Sequence, residues 1–228
     1  MNVRERYSKF RSRYIVQQRR QHEYAINKYY AHLIDPFFTK IAYDLKLTPN
    51  TVTILSGMMG IGAAVSFYYH YFVVGAILLQ IHHLLDGVDG NLARLMNRCT
   101  SFGAKLDKIS DQVVRLVLFC SLSVSLDIAL WAKWALPITI FVDLFVVHCF
   151  ILPHARKYHL HRAKWKKWFL DRGIIPGLDI FTIFFIISCS ALLGVLGNCI
   201  YFIIIVKNID WMYRLYECRQ PAIPKLNA

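Results

Sequence analysis

Apolar residues come in six long runs separated by short polar stretches, and that rhythm predicts six membrane-crossing helices. They run from Thr51 to about Phe72, Val73 to about Met96, Thr100 to about Leu126, Ile128 to about Leu152, Gly177 to about Leu196 and Cys199 to about Tyr216. Each is close to the ~20 residues needed to span a bilayer. Ahead of them Ile26, Tyr29, Tyr30, Leu33, Phe37, Ile41 and Leu45 recur at spacings of three or four, with Lys28, His32, Lys40 and Lys46 on the other face. That pattern predicts an amphipathic helix lying in the cytoplasmic interface, which Pro36 should break or kink. The fold class is therefore all-α: a polytopic membrane protein with six transmembrane helices preceded by a cytoplasmic amphipathic interfacial helix. Residues 1–50 form a basic leader and juxtamembrane helix, 51–218 a six-helix transmembrane domain, and 219–228 a short cytoplasmic tail.

Composition agrees with the pattern. The 228 residues are 56% hydrophobic and 18% charged, where a soluble domain carries about a quarter charged. The net charge of +13 would suit nucleic acid, but Lys and Arg lie between the apolar runs rather than on one face, so no nucleic-acid partner is expected. Charge in such gaps orients a chain and meets anionic headgroups. Residues 1–50, the turn at Asn97 and Arg98, the loop His154–Gly173 and the tail are basic, whereas the alternate turns near Tyr69, Asp127 and Gly197 carry little beyond Lys133. Both termini are thus expected on the cytoplasmic side, and the leader has no apolar core resembling a signal peptide. Within the basic loop Lys164, Lys166 and Lys167 with Trp165 and Trp168 read as an interfacial anchor, and His159 with His161 makes a poor zinc pattern. Six scattered cysteines without a Cys-x-x-Cys pair read as small buried apolar residues.

Four carboxylates interrupt the second and third runs: Asp86, Asp89, Asp107 and Asp111. An unpaired Asp at mid-bilayer costs ~2.5 to 3.5 kcal/mol on the mild scale, so the set needs partners. The first two are three apart and the last two four apart, so each pair shares a helical face. Asp89 and Asp107 each lie nine residues from Arg98, at roughly equal depth, ~13 Å of helix from the turn. Carboxylates converging across such a hairpin repel unless cations sit among them, and hard oxygen ligands select Mg²⁺, Mn²⁺ or Ca²⁺. Two divalent ions would balance four charges and leave a site suited to phosphate. Gly90, Ala93 and Gly103 stand one turn from the aspartates and open room for close approach, while Arg94 is placed to hold a diphosphate oxygen.

Asp86, Asp89, Gly90, Ala93, Arg94, Gly103, Asp107 and Asp111 reproduce, residue for residue, the signature D-x2-D-G-x2-A-R-x8-G-x3-D-x3-D, and the chain resembles the CDP-alcohol phosphotransferase family. The segment Thr48-Pro-Asn-Thr-Val-Thr53 is also similar to the family's entry to the first span. The resemblance implies an enzyme that transfers a phospho-alcohol or phosphatidyl group from a CDP-alcohol donor to a hydroxyl acceptor and releases CMP. It implies two Mg²⁺ or Mn²⁺ ions held by Asp86, Asp89, Asp107 and Asp111, with Asp111 the catalytic base. The donor nucleotide would rest against Gly90, Ala93 and Gly103, with Arg94, Asn50 and Thr53 completing the pocket. The active site would face the cytoplasm.

The acceptor is less legible. Arg115, one turn beyond Asp111, is the foremost candidate, followed by Lys105 and Arg156. Polar residues on the later spans can equally pair with each other, as Lys207 with Asp210. Sequence cues mildly favour a polyol-based acceptor or donor. Besides substrates, the expected partners are a bilayer with anionic headgroups and a second copy of the chain. The rival function is a transporter that passes cations along the aspartates.

Overall fold

The computed structural model describes residues 3–16, 21–159, 162–220 and 223–224 and is almost entirely helical. Helix α1 covers Val3–Tyr14, α2 His32–Asp44, α3 Pro49–Tyr68, α4 Phe72–Leu95 and α5 Ser101–Ser125. Then come α6 Leu130–Val146, α7 Leu152–Lys157, α8 Lys164–Leu170, α9 Ile180–Leu192 and α10 Leu196–Arg219. Two-residue strand pairs join Glu23–Tyr24 to Ile174–Ile175 and Tyr158–His159 to Ile223–Pro224.

Local sequence sets these boundaries. The Thr48 hydroxyl accepts from Thr51 N–H at 3.2 Å ahead of Pro49, which supplies the first-turn φ of α3. Thr100 caps α5 through Gly103 N–H at 3.0 Å, and Asp179 caps α9 through Thr182 N–H at 3.0 Å. The turn between α4 and α5 closes on Asn97 at φ 52°, a left-handed position that Asn tolerates. Pro36 does not break α2. A π-turn over Asn27–Ala31 precedes the helix, and the His32 carbonyl, deprived of its usual amide donor by Pro36, accepts the Tyr7 hydroxyl at 3.2 Å.

Three described helical stretches are long and apolar enough to cross a membrane: Pro49–Tyr68, Phe72–Leu95 and the continuous Leu130–Lys157, which passes through a π-turn at Val147–Ile151. Exposed apolar side chains belt their outer faces, among them Ile54, Met58, Val65, Val74, Ile77, Trp134 and Ile138. A water-soluble monomer rarely exposes such an area. Helices α5 and α10 match them in length but carry more charge. Helix α9 has 13 residues, ~20 Å at 1.5 Å per residue, short of the ~30 Å hydrocarbon layer.

Inside, Phe67, Leu79, Leu118, Phe119, Leu136, Ile183, Phe184 and Ile200 form the main core. Small residues bring α3 against α5: a Cβ on Gly60 would stand 2.5 Å from Val114 Cγ1, so only glycine permits this crossing. Gln80 donates to Ser188 at 2.9 Å across α4 and α9, and Asn208 donates to Thr139 at 2.8 Å across α10 and α6. Deep charges are paired, with a partner the spacing alone did not give: Lys207 meets Asp143 at 2.9 Å, while Asp210 is taken by Arg214 at 2.7 Å and lies 3.9 Å from Lys207.

Two expectations change. Lys166 is not part of an exposed anchor. It turns inward to Glu217 at 2.5 Å, with Arg162 on the same carboxylate at 2.9 Å, leaving Lys164, Lys167, Trp165 and Trp168 on the outside of α8. The seven-residue helix cannot place all three lysines on one face, and a buried carboxylate demands a cation. All six cysteines are free, but Cys99, Cys120 and Cys149 are exposed rather than buried. His161 and most of the tail lie outside the described residues.

Candidate active site

The turn at Asn97 folds α4 and α5 into the antiparallel hairpin that the aspartate spacing requires. Asp86, Asp107 and Asp111 each offer a carboxylate oxygen within 4.8 Å of the others. Arg115 donates to Asp111 at 2.8 Å. One guanidinium among three carboxylates leaves an excess of negative charge and several unshared oxygens. That donor set fits a divalent cation with a preference for hard oxygen ligands.

Asp89 is placed differently. It points toward α3, where Thr53 donates to its Oδ2 at 2.5 Å. Asp107 of the cluster joins Asp89 in lining a cavity of about 220 Å³, so the cluster borders that space. Asn50, Thr53, Gly90, Ala93, Arg94 and Gly103, the six residues the sequence assigns to the donor, all line this cavity together with Asp89 and Asp107. Glycine is needed at 103, since a Cβ there would sit 3.0 Å from Asn50 Oδ1 and 3.1 Å from Thr100 Oγ1. At Gly90 a Cβ would press on the Arg94 guanidinium at 3.3 Å. Arg98 and Thr100 also line the cavity and were not anticipated. The capping pattern Thr100-x-x-Gly103 was the available signal for Thr100.

The candidate acceptor residues do not gather. Arg115 is engaged with Asp111, so its guanidinium is already shared. Lys105 is exposed on α5 and Arg156 exposed on α7, and neither lines this cavity. Two histidines on α4 are buried behind the aspartates: His82 Nδ1 lies 2.9 Å from Ser56 Oγ, and His83 stacks on Phe181 with ring centroids 4.7 Å apart.

A second cavity, of about 270 Å³, lies round α4 from the first. It is walled by α1, the segment Gln21–Ala31, the start of α2 and the face of α4 carrying His83, Gly87 and Asn91. At its edge His32 bridges Glu23 and Asp35, each at 3.1 Å. Burial pushes the Asp35 carboxyl above its ordinary range, against the pull of His32 and Arg11. Arg94 lines both cavities.

An almost entirely helical fold with membrane-length apolar helices and a carboxylate cluster able to hold a cation is the arrangement of an integral membrane protein with a candidate metal site. The CDP-alcohol phosphatidyltransferase family model matches residues 46–211, and the chain belongs to that family. The bifunctional IPC transferase and DIPP synthase of Aquifex aeolicus is 41% identical over 81 residues, which is 36% of this chain and 19% of that protein's length. Among solved structures, Mycobacterium tuberculosis phosphatidylinositol phosphate synthase with CDP-DAG bound shares the fold. Its TM-score is 0.61 at 18% identity, covering 86% of this chain and 99% of that one. The same enzyme in complex with manganese and citrate gives 0.56 at 19% identity, covering 82% and 90%. Family membership gives the transporter reading no support.

Proposed function

We propose that this chain is an integral membrane transferase that moves a phospho-alcohol or phosphatidyl group from a CDP-alcohol to a hydroxyl acceptor and releases CMP. The observation that carries the reading is the junction of the carboxylate cluster with a cavity lined by all six expected donor-binding residues. In this reading Arg94 and Arg98 hold diphosphate oxygens. Asn50 and Thr53 contact the nucleotide, and the bare surfaces of Gly90, Ala93 and Gly103 let it lie close to the backbone. Asp86, Asp107 and Asp111 hold Mg²⁺ or Mn²⁺, with Asp89 completing a two-ion site. The bound metal supplies neutralisation of phosphate charge and of the leaving oxygen. Asp111 takes the proton of the attacking hydroxyl, and Arg115 orients that carboxylate. A solved relative named for phosphatidylinositol phosphate supports a polyol-type acceptor.

The test is a screen of the purified protein with Mg²⁺ or Mn²⁺, several CDP-alcohols and a panel of polyols, polyol phosphates and lipid extracts. Metal-dependent CMP release with at least one pair is expected, and silence across the panel from a protein shown to bind metal would sink the reading.

The same proposal places α3, α4, α5, α6 with its continuation, α9 with the segment before it, and α10 as six spans. The leader 1–50 and tail 219–228 flank the catalytic domain 51–218 on the cytoplasmic side, as does the cavity mouth. Basic residues in the leader, at Arg98 and in α8 support that side. Cysteines introduced at Arg4 and Lys164, both exposed, in a cysteine-free background should resist an impermeant thiol reagent in intact cells and react after lysis. Labelling of either before lysis would overturn the orientation.

A further inference from the structure

Helix α8 presents a basic, aromatic surface that the fold leaves unused. Its inner side is fixed: Lys166 reaches Glu217 at 2.5 Å with Arg162 on the same carboxylate at 2.9 Å, and the Lys166 ammonium lies over the Tyr213 ring at 5.1 Å. The outer side therefore carries Lys164 and Lys167, both exposed, beside Trp165 and Trp168, each 51% exposed. Arg172 adds its guanidinium over the Trp168 ring at 3.6 Å, and Asp171 is the one acidic residue between Pro153 and Leu178. Indoles bared among cations match the headgroup layer of a bilayer, where the ring is half in apolar surroundings and the ammoniums meet lipid phosphates.

The neighbouring elements put α8 at that depth. The apolar stretch Leu130–Lys157 ends shortly before it, and α9 is too short to cross alone, so the segment joining α8 to α9 enters the bilayer with it. Glu217, which holds α8, stands ~32 Å of helix beyond Leu196 at 1.5 Å per residue, about the thickness of the hydrocarbon layer. The end of the same loop grips the N-terminal segment. Lys28 donates to the carbonyls of Arg172 at 2.7 Å and Gly173 at 3.3 Å, and Glu23–Tyr24 pairs in parallel with Ile174–Ile175. Gly173 has φ 70°, and a Cβ there would stand 2.9 Å from Lys28 Nζ, so glycine permits the junction. Glu23, Tyr24, Asn27 and Ile175 in turn line the second cavity. Contacts thus run without a break from the outer face of α8 to the wall of that cavity.

We propose that the outer face of α8 docks on the anionic phospholipid headgroups of the leaflet, and that this contact steadies the N-terminal wall of the second cavity through residues 172–175. Lys164 and Lys167 meet lipid phosphates, Trp165 and Trp168 sit at headgroup level, and the charge of the leaflet sets how firmly residues 21–31 are held. The inference rests on the membrane placement proposed above and not on the transferase chemistry.

Hydrogen exchange on the full chain in nanodiscs of phosphatidylcholine, with and without an equal part of phosphatidylglycerol, reads both halves of the proposal. Phosphatidylglycerol should slow exchange about tenfold in residues 162–170 and in 21–31, since one lysine near an anionic surface contributes roughly a factor of five. In about 1 M salt, where the Debye length is about 3 Å, the difference should vanish. Lys164→Gln combined with Lys167→Gln should abolish the response in both segments, and because both side chains are exposed the variant should fold. Lys28→Met should keep the response in 162–170 and lose most of it in 21–31. A fluorophore on Asp171→Cys in a cysteine-free background should be quenched by a lipid with a nitroxide headgroup, even in phosphatidylcholine alone. Absence of that quenching would remove the membrane placement and this proposal with it. Quenching without any response to phosphatidylglycerol, or a full response in the double-lysine variant, would overturn this proposal alone. A response confined to 162–170 in the parent chain would overturn the coupling to the N-terminal wall.

Discussion

Asp107→Asn or Asp86→Asn is expected to lower turnover about 10³-fold or more and to remove the thermal stabilisation that Mg²⁺ or Mn²⁺ gives the parent protein. Both side chains belong to the cluster whose carboxylate oxygens lie within 4.8 Å of one another. An amide keeps the shape, but it halves the good oxygen donors and deletes the charge. A metal at a reacting phosphate contributes several kcal/mol, and each 1.36 kcal/mol is tenfold in rate. In the metal-free protein the effect on stability should run the other way. Like charges at this separation repel, so removing one should leave the apo melting temperature unchanged or raise it. The parent should gain about 2.7 kcal/mol at a 100-fold excess of ion over its Kd, and the variants should gain little. Thermal shift against ion concentration, with and without a CDP-alcohol, reads both effects. A variant that keeps the full metal-induced shift would show that the cluster is not the metal site.

The aspartate cluster was legible because its information is local. Spacings of three and four on each helix, and equal distance from the turn at Arg98, are enough to bring Asp86, Asp107 and Asp111 together once the hairpin closes. The donor cavity was legible for the same reason, since Gly90, Ala93, Arg94 and Gly103 ride on the same two helices. What escaped depends on how separate helices register. Nothing in the spacing says that Asp89 turns from the other three toward Thr53 on α3, because that contact follows from how α3 packs on α4. Lys207 illustrates the same limit. Asp210 is its neighbour on the helix, but Asp143 on α6 is nearer in space, and Arg214 claims Asp210. The N-terminal segment was the least legible part. Its basic, polar residues carry no apolar period, so neither the Tyr7 hydroxyl over the Pro36 gap nor the Arg11 wall of the second cavity is visible before the chain is folded.

Asp111→Asn is expected to separate proton transfer from metal holding. Asp111 has two relationships in the structure: it belongs to the carboxylate cluster, and it receives Arg115 at 2.8 Å. A residue that only held metal would, when neutralised, weaken ion and donor together, as expected for Asp107. The base has a further task, because the attacking hydroxyl must lose its proton as the bond to phosphorus forms, and a positioned base contributes ~10² to 10⁴-fold. After Asp111→Asn, Asp86, Asp89 and Asp107 still supply three negative charges. CDP-alcohol affinity at saturating Mg²⁺ should therefore stay within about tenfold of the parent, while transfer falls by that 10² to 10⁴-fold. Arg115→Met sharpens the comparison. It leaves the base in place without its orienting partner, so transfer should fall less, by roughly the tenfold or so that one charge-assisted hydrogen bond represents. Calorimetric donor binding beside single-turnover CMP release measures both quantities on each variant. If Asp111→Asn loses donor binding as completely as Asp107→Asn, Asp111 serves chiefly as a metal ligand and the base lies elsewhere, with His82, His83 and His148 the next residues to test.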